Sequence, residues 1–247
     1  MKSRSGSLNK PRCRVIALGL ALALCASSPS AGADSANSKK GEFNPASFEE
    51  LLEAFAGMPG LEARFEEEKF IAILAAPLRS KGRLYFAPPS TLLRRVESPR
   101  RQEILIHAGQ VRISTRSNEV DGEPPVVQMI DLSTHEGIRP LVESMIWIFT
   151  GNRAALEEVY SVDYQRSTRG DGGGEDSKGW EVRLTPRSAA LSALIRELRV
   201  RGRGLLADTL ELVESSGDRT VTVLLDANPL REFSPVERLE LFGAADR

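Results

Sequence analysis

His107 and His135 are the only imidazoles in the chain, so any histidine general base is one of these two. Ser133 lies two positions before His135, too close in sequence to suggest a nucleophile–base–acid set by itself. Both histidines read as residues of strand ends or turns. Glu66, Glu67 and Glu68 are adjacent, and in a strand they point to alternating faces, which argues against a paired-carboxylate site. Asp171, Glu175 and Asp176 carry metal-ligating groups, but their spacing misses a calcium loop and fits a solvated turn. Arg94 and Arg95 follow the apolar Leu92 and Leu93. Their plain reading is a pair of exposed edge-strand arginines. Their functional reading sets Arg94 at a cavity mouth, facing an anionic head group. No nucleophile elbow, P-loop, dinucleotide fingerprint in strand–helix context or zinc-protease helix motif occurs. No residue set stands out as catalytic or as a metal site, and no cofactor is called for.

These residues sit among elements that are mostly short strands. Ser80, Gly82, Leu84 and Phe86 alternate with Arg79, Lys81, Arg83 and Tyr85. Ile104 and Ile106 form a short run, and Val111 and Ile113 another. Val126, Gln128 and Ile130 follow a Pro-Pro break. Trp180, Val182 and Leu184 alternate with polar neighbours, and Leu194, Leu198 and Val200 share a face with Arg196. Leu210 and Leu212 belong to a further run, and Val221, Val223 and Leu225 follow a Gly217-Asp218 turn. Strands at this spacing predict an antiparallel sheet curling into a barrel or half-barrel. A helix is expected from Ser47 to Ala56, with Ser47 and Glu50 as a capping box and Phe48, Leu51, Leu52 and Phe55 on one face. A second runs over 139–150, begun by Pro140 and ended by Gly151. Its apolar residues, Leu141, Val142, Met145, Ile146, Trp147, Ile148 and Phe149, go nearly all round, so it must be covered on more than one side. Asn152 caps a short third helix. Residues 61–70 score as helix on propensity, and residues 167–178 read as a polar hairpin tip.

The first 33 residues read as an address. A basic stretch precedes the apolar Val15–Cys25, and small residues follow with a cleavage site at Ala31-Gly32-Ala33. Both cysteines lie here. Setting this segment aside removes five basic residues and no acid, and leaves 214 residues of formal net charge −6 without cysteine. That excludes disulfides and thiolate chemistry in the exported chain and gives no support to nucleic-acid binding. Cys25 has a rival reading as a lipid-anchored cysteine, against which Leu24 is bulky. Residues 34–45 are expected to be a loose leader, and 46–247 one domain.

The stretch from Ala63 to Ile113 resembles the periplasmic lipoprotein carrier family, LolA. It contains Pro77 through Ser80-Lys81-Gly82, then Tyr85-Phe86-Ala87-Pro88-Pro89, Pro99, and Gly109-Gln110-Val111. Phe149-Thr150-Gly151-Asn152, Trp180 through Pro186, and Gly217 through Thr220 extend the likeness over nearly all of the mature chain. The resemblance implies an α+β fold: a strongly bent antiparallel sheet, an incomplete barrel, with helices as N-terminal cover and lid. It implies that residues 61–70 are a strand, in which a bulge would bring Phe65 and Phe70 onto one face. There are two departures. Arg94 stands where many relatives carry an aromatic residue, and Pro88 stands where the carrier has a latching arginine. The chain is therefore closer to the LolA-related branch associated with lipid or polyene export.

The implied function is a monomeric periplasmic carrier of lipoprotein acyl chains, lipids or polyenes, served by an inner-membrane release complex and an outer-membrane acceptor. An acyl chain with ~14 methylenes costs about 11 kcal/mol to keep in water, at roughly 0.8 kcal/mol per CH₂, so it must be buried in transit. The expected cavity residues are Phe65, Leu84, Phe86, Leu92, Ile104, Ile106, Ile113, Ile130, Leu141, Met145, Ile148, Trp180 and Val182, with Arg94 at the mouth. Two other readings are a lipid-binding acceptor or sensor, docked to a membrane protein or anchored through Cys25, and an acyl-chain esterase drawing on His107 or His135.

Overall fold

The computed structural model describes residues 43–116, 124–167 and 179–243. The chain opens with α1 (Phe48–Ala56) and continues into β1 (Leu61–Phe70), β2 (Leu78–Ala87), β3 (Thr91–Ser98), β4 (Gln102–His107), β5 (Gln110–Thr115) and β6 (Val126–Asp131). After a single 3₁₀ turn come α2 (Arg139–Phe149), α3 (Arg153–Val159), β7 (Tyr160–Ser167), β8 (Gly179–Pro186), α4 (Ala189–Ser192), β9 (Ile195–Arg203), β10 (Leu206–Glu214), β11 (Arg219–Asn228) and α5 (Pro235–Phe242). The strands form one antiparallel sheet in the order β6-β5-β4-β3-β2-β1-β11-β10-β9-β8-β7. The ends β6 and β7 do not pair, so the sheet is bent but open. The signal segment, Cys25 and the cluster of Asp171, Glu175 and Asp176 lie outside the described residues.

Register explains the sheet's two faces. Phe65 pairs with Gly82 on one side and Leu224 on the other, Gly82 leads on to Val96, and the next inward row runs from Glu67 through Thr222, Leu210, Val200 and Val182. This inner face carries the main core, against which α1 and α2 pack. Residues 61–70 form a strand despite their propensity, because both neighbours offer a ladder and a matching apolar row. The expected bulge between Phe65 and Phe70 is absent. Pairing with β2 runs unbroken from Leu61 to Lys69, and the irregularity against β11 falls between Glu62 and Arg64. Phe70 therefore points to the outer face, where the Arg219 guanidinium sits 4.6 Å from its ring centre.

Other expectations are corrected in the same way. A register shift between Val213 and Glu214 turns Ile195 inward, and Arg196 leaves the Leu198–Val200 face to donate to Ser215 O. In β11 the inward residues are Thr220, Thr222 and Leu224, while Val221 and Val223 face out. Ser47 caps α1 as expected, but Glu50 accepts from Ala46 N rather than closing a reciprocal box. Residues 43–45 are not loose: Pro45 is buried, and its carbonyl accepts from the Tyr164 hydroxyl at 2.7 Å.

Two glycines permit close approach. A Cβ on Gly202 would stand 2.1 Å from Leu206 O and 2.5 Å from the Trp180 ring, so the indole lies flat on bare backbone. Gly151, at φ +67°, lets α2 end against Leu52 and Ala56 of α1.

The outer face divides in two. Over β2–β4, Tyr85, Ala87, Leu93 and Leu105 form a second cluster with Phe233 and Phe242, so α5 covers this half. Over β8–β11 the outer face instead carries arginines and glutamates, with Glu211 meeting Arg199, Arg201 and Arg219, and Glu181 meeting Arg183, Arg199 and Arg201. In α5 the Glu237 carboxylate accepts from Ser234 N and pairs with Arg231, which together lower its pKa to about 2. Its folded pKa is depressed, so its contribution is present above the unfolded value near 4.5 and is lost as pH falls toward 2. Glu237→Gln is expected to shrink the loss of melting temperature between pH 6 and pH 3. An undiminished loss in calorimetry would exclude Glu237 as a source of acid lability.

Candidate functional site

The inner face brings the sequence-predicted apolar residues together in two adjoining groups. Phe65, Leu84, Phe86, Leu92, Ile148, Trp180 and Val182 are buried in the main core, with Ile106, Leu141 and Met145 packed partly exposed against it. Ile104 and Ile113 belong to a neighbouring cluster with Val111 and Leu132, where Ile130 and Val142 sit at the margin. Ile106 touches both groups, and α2 spans them through Met145 on one side and Val142 on the other.

Aromatic rings set the helices on the sheet. Phe149 stacks on Phe86 at 5.1 Å, Phe55 of α1 meets Phe149 at 6.2 Å, and its edge meets Trp180 at 5.8 Å. The Trp180 indole N–H donates to Gly204 O at 2.9 Å, so this large ring is both satisfied and fixed. None of the apolar residues of α2 is fully exposed, as an all-round apolar helix requires. The space enclosed by Phe48, Leu51, Leu52, Phe55, Ile148, Trp180, Val182 and Val200 amounts to about 10 Å³. That is room for about one water at most, whereas a site for a drug-sized ligand takes about 300 Å³ or more. Here α1 fills the inner face with its own side chains. The Tyr160 hydroxyl, fully buried beside Ser144, lacks a well-formed hydrogen bond, and burial raises its pKa.

Polar side chains interrupt the inner face toward the opposite strand ends. Glu67 lies beside Ser80 and Thr222 in the register and accepts from both, at 3.2 and 2.9 Å. Arg94 donates to the same carboxylate at 2.8 Å, and its guanidinium sits 4.3 Å above the Phe65 ring. Lys69, 3% exposed, pairs with Glu214 at 2.6 Å. The reading of Arg94 and Arg95 as edge-strand residues is corrected, since β3 lies between β2 and β4 and both arginines are half-buried. Arg95 faces outward, to Glu103. Sequence reasoning missed this polar belt, although strand parity places Glu67 and Lys69 in phase with Phe65.

His107, at the end of β4, meets the neighbouring strand β3, and His135 is held in a local turn. His107 Nδ1 meets Thr91 Oγ1 at 2.8 Å. His135 Nδ1 meets Thr134 Oγ1 and Asp131 O, while Ser133 N donates to Asp131. Ser133 and His135 are therefore parts of one capped turn. Among the described residues no group of three metal-ligating side chains gathers, and no helix is long and apolar enough to cross a membrane.

An open antiparallel half-barrel whose apolar inner face is covered by helices defines a class of carrier-like folds. Residues 46–232 match the family described as outer membrane lipoprotein carrier protein LolA-like, and the chain belongs to that family. A search of curated proteins found no match. Solved structures with a similar outline include the Pseudomonas aeruginosa MucA/MucB complex, at 13% identity and TM-score 0.39, covering 76% of this chain and 57% of that one. This chain thus spans little more than half of that relative. Others are a DUF1329 family protein from Desulfovibrio piger (8% identity, TM-score 0.34, 80% and 97% covered) and a putative outer membrane lipoprotein-sorting protein domain from Vibrio parahaemolyticus (11%, 0.34, 81% and 98%).

Removing Arg94 leaves Glu67 half-buried with only its two hydroxyl donors. Arg94→Leu is expected to lower unfolding free energy by about 1–3 kcal/mol, and adding Glu67→Leu is expected to restore most of it. Chemical denaturation of the two variants checks this; an additive double variant would mean that the pair is not coupled.

Proposed function

We propose that this chain is a periplasmic carrier that takes up lipoprotein acyl chains, or related lipids or polyenes, against the inner face and passes them toward the outer membrane. One observation carries the reading: an apolar inner face is covered by α1 and by α2, a short helix apolar on most sides. Cargo enters by displacing α1 and α2, so its methylenes replace helix side chains on Phe65, Leu84, Phe86, Leu92, Trp180 and Val182. Ile104, Ile106, Ile113 and Ile130 extend that floor, and Leu141, Met145 and Ile148 close over it. Apolar contact is exchanged for apolar contact, so the net cost of release is small and no nucleotide is needed. Arg94 turns from Glu67 to meet an anionic head group. The basic and apolar N-terminal segment supports export, and the local engagement of His107 and His135 supports binding rather than catalysis. The carrier acts as a monomer between a release complex in the inner membrane and an acceptor in the outer membrane.

Lipid extraction from the protein purified from its native compartment, followed by mass spectrometry, is expected to yield acyl-chain material. Apo protein alone, with no uptake of added fluorescent fatty acid, would overturn the carrier reading. Met145 is only half-buried, so Met145→Asp is expected to weaken fatty-acid binding about tenfold or more while the fold survives.

A further inference from the structure

The β1–β2 connection is the least protein-like surface of the molecule. From Phe70 to Leu78 the sequence reads FIAILAAPL, nine residues without a charge or a hydrogen-bonding side chain. Polar residues normally fill such a connection, because its backbone and side chains face water. Here Ala72 to Ala76 are all exposed, Ile73 at 90% and Leu74 at 43%. The tip is nonetheless ordered: Leu74 N donates to Ile71 O, and Ala72 N donates to Asp218 of the adjacent β10–β11 turn.

Register places this tip relative to its neighbours. Lys81 pairs with Ser98 at the end of β3, while β2 continues back to Leu78 opposite Lys69. β2 therefore runs three residues past the level of Ser98, roughly 10 Å at about 3.3 Å per residue, before the apolar turn begins. Exposed basic residues stand at that lower level. Arg100 and Arg101 form the β3–β4 turn, and Arg116 joins them through its N–H to Arg101 O. Lys81 and Arg79 flank the base of the hairpin, with Arg79 paired to Glu68.

We propose that residues 71–77 are a membrane-docking wedge that enters the acyl region of an anionic bilayer, while Arg100, Arg101, Arg116 and Lys81 lie at the level of the lipid phosphates. The complementarity is first of depth, and its charge rests on Arg100, Arg101 and Arg116, because Lys81 stands opposite Glu66, Arg79 pairs with Glu68 and Asp218 lies beside the tip. An interfacial element buries its apolar face about 5–10 Å below the head groups, and basic side chains at that boundary strengthen attachment to anionic lipid. The same end of the sheet carries the Glu67–Arg94 and Lys69–Glu214 pairs on the inner face, so docking brings the polar end of the inner face to the head-group layer. The inference deepens the carrier reading and rests on it only for the purpose of docking, not for the docking itself.

Flotation of the mature full-length chain with vesicles of phosphatidylethanolamine and phosphatidylglycerol tests it, with phosphatidylcholine vesicles as the neutral comparison. The wild type is expected to bind the anionic vesicles and to lose most binding in high salt. Ile73→Asp is expected to reduce binding about tenfold or more, since a fully buried isoleucine contributes at least that factor. Its side chain touches little, so the melting temperature should hold. Arg100→Glu with Arg101→Glu should weaken binding to anionic vesicles and leave the small neutral binding unchanged. A wild type that does not float, or an Ile73→Asp variant that floats as well as wild type, overturns the wedge. Fatty-acid binding measured on the same samples separates the two ideas: its absence beside Ile73-dependent flotation overturns the carrier and leaves the wedge standing.

Discussion

An open sheet with an apolar inner face cannot stand in water uncovered, and the rest of this structure follows from how that face is covered. Closure into a barrel would abolish the edges and bury the interior permanently. Here β6 and β7 remain apart, and α1 and α2 supply the cover. The cover is made of side chains rather than strand pairing. It is held by ring contacts among Phe55, Phe86, Phe149 and Trp180, together with Leu51, Leu52 and Ile148. Such contacts are non-directional and can be replaced by any other apolar group of similar area. A backbone ladder could not be exchanged in that way.

That replaceability sets different demands on the two faces. If the inner face is to trade one cover for another, the sheet must keep its shape while uncovered. Over β2–β4 the outer face has its own small core under α5, pinned by Arg231 to both Glu62 and Glu237. This clasp begins where the family match ends, at residue 232. Over β8–β11 no helix among the described residues lies on the outer face, and arginine–glutamate ladders run across the strands instead. Single exposed pairs contribute little, but Glu211 and Glu181 each serve several arginines, and shared networks of this kind stiffen strand register more than isolated pairs do. The two halves of the sheet thus reach rigidity by different chemistry, and neither uses the inner face for it.

Much of this was legible in residue order. Alternation in β2, β8 and β11 predicted the strands, and the all-round apolarity of 139–150 predicted a helix covered on several sides. What stayed hidden was decided by neighbours. The direction of Phe70 depended on the absence of a bulge, which is a property of the β1–β2 ladder rather than of LEARFEEEKF. The inward Thr220–Thr222–Leu224 row of β11 looked like the polar side, because its partners are Glu67 and Lys69, not leucines. Arg94 looked like an edge residue because nothing local reveals that β3 is flanked on both sides. The α5 clasp escaped notice although Ser234 and Glu237 form a capping box, since Tyr85, Leu93 and Leu105 read as the solvent side of strands whose other face was already apolar.

The polar belt on the inner face then has a physical reading that periodicity could not give. A wholly apolar groove would hold any acyl chain, in any position along its length, and would slide as readily as it bound. Glu67 and Arg94 break that degeneracy. They form a hydrogen-bonded charged pair in otherwise apolar surroundings, and separating that pair there would cost several kcal/mol. The Arg94 guanidinium is stacked on Phe65 and oriented by Glu67. The belt therefore gives the inner face a polar end toward the apolar β1–β2 turn and an apolar end under the helices. The two ends of the inner face thus differ in chemistry, and one pair of charges in an otherwise exchangeable surface sets that difference.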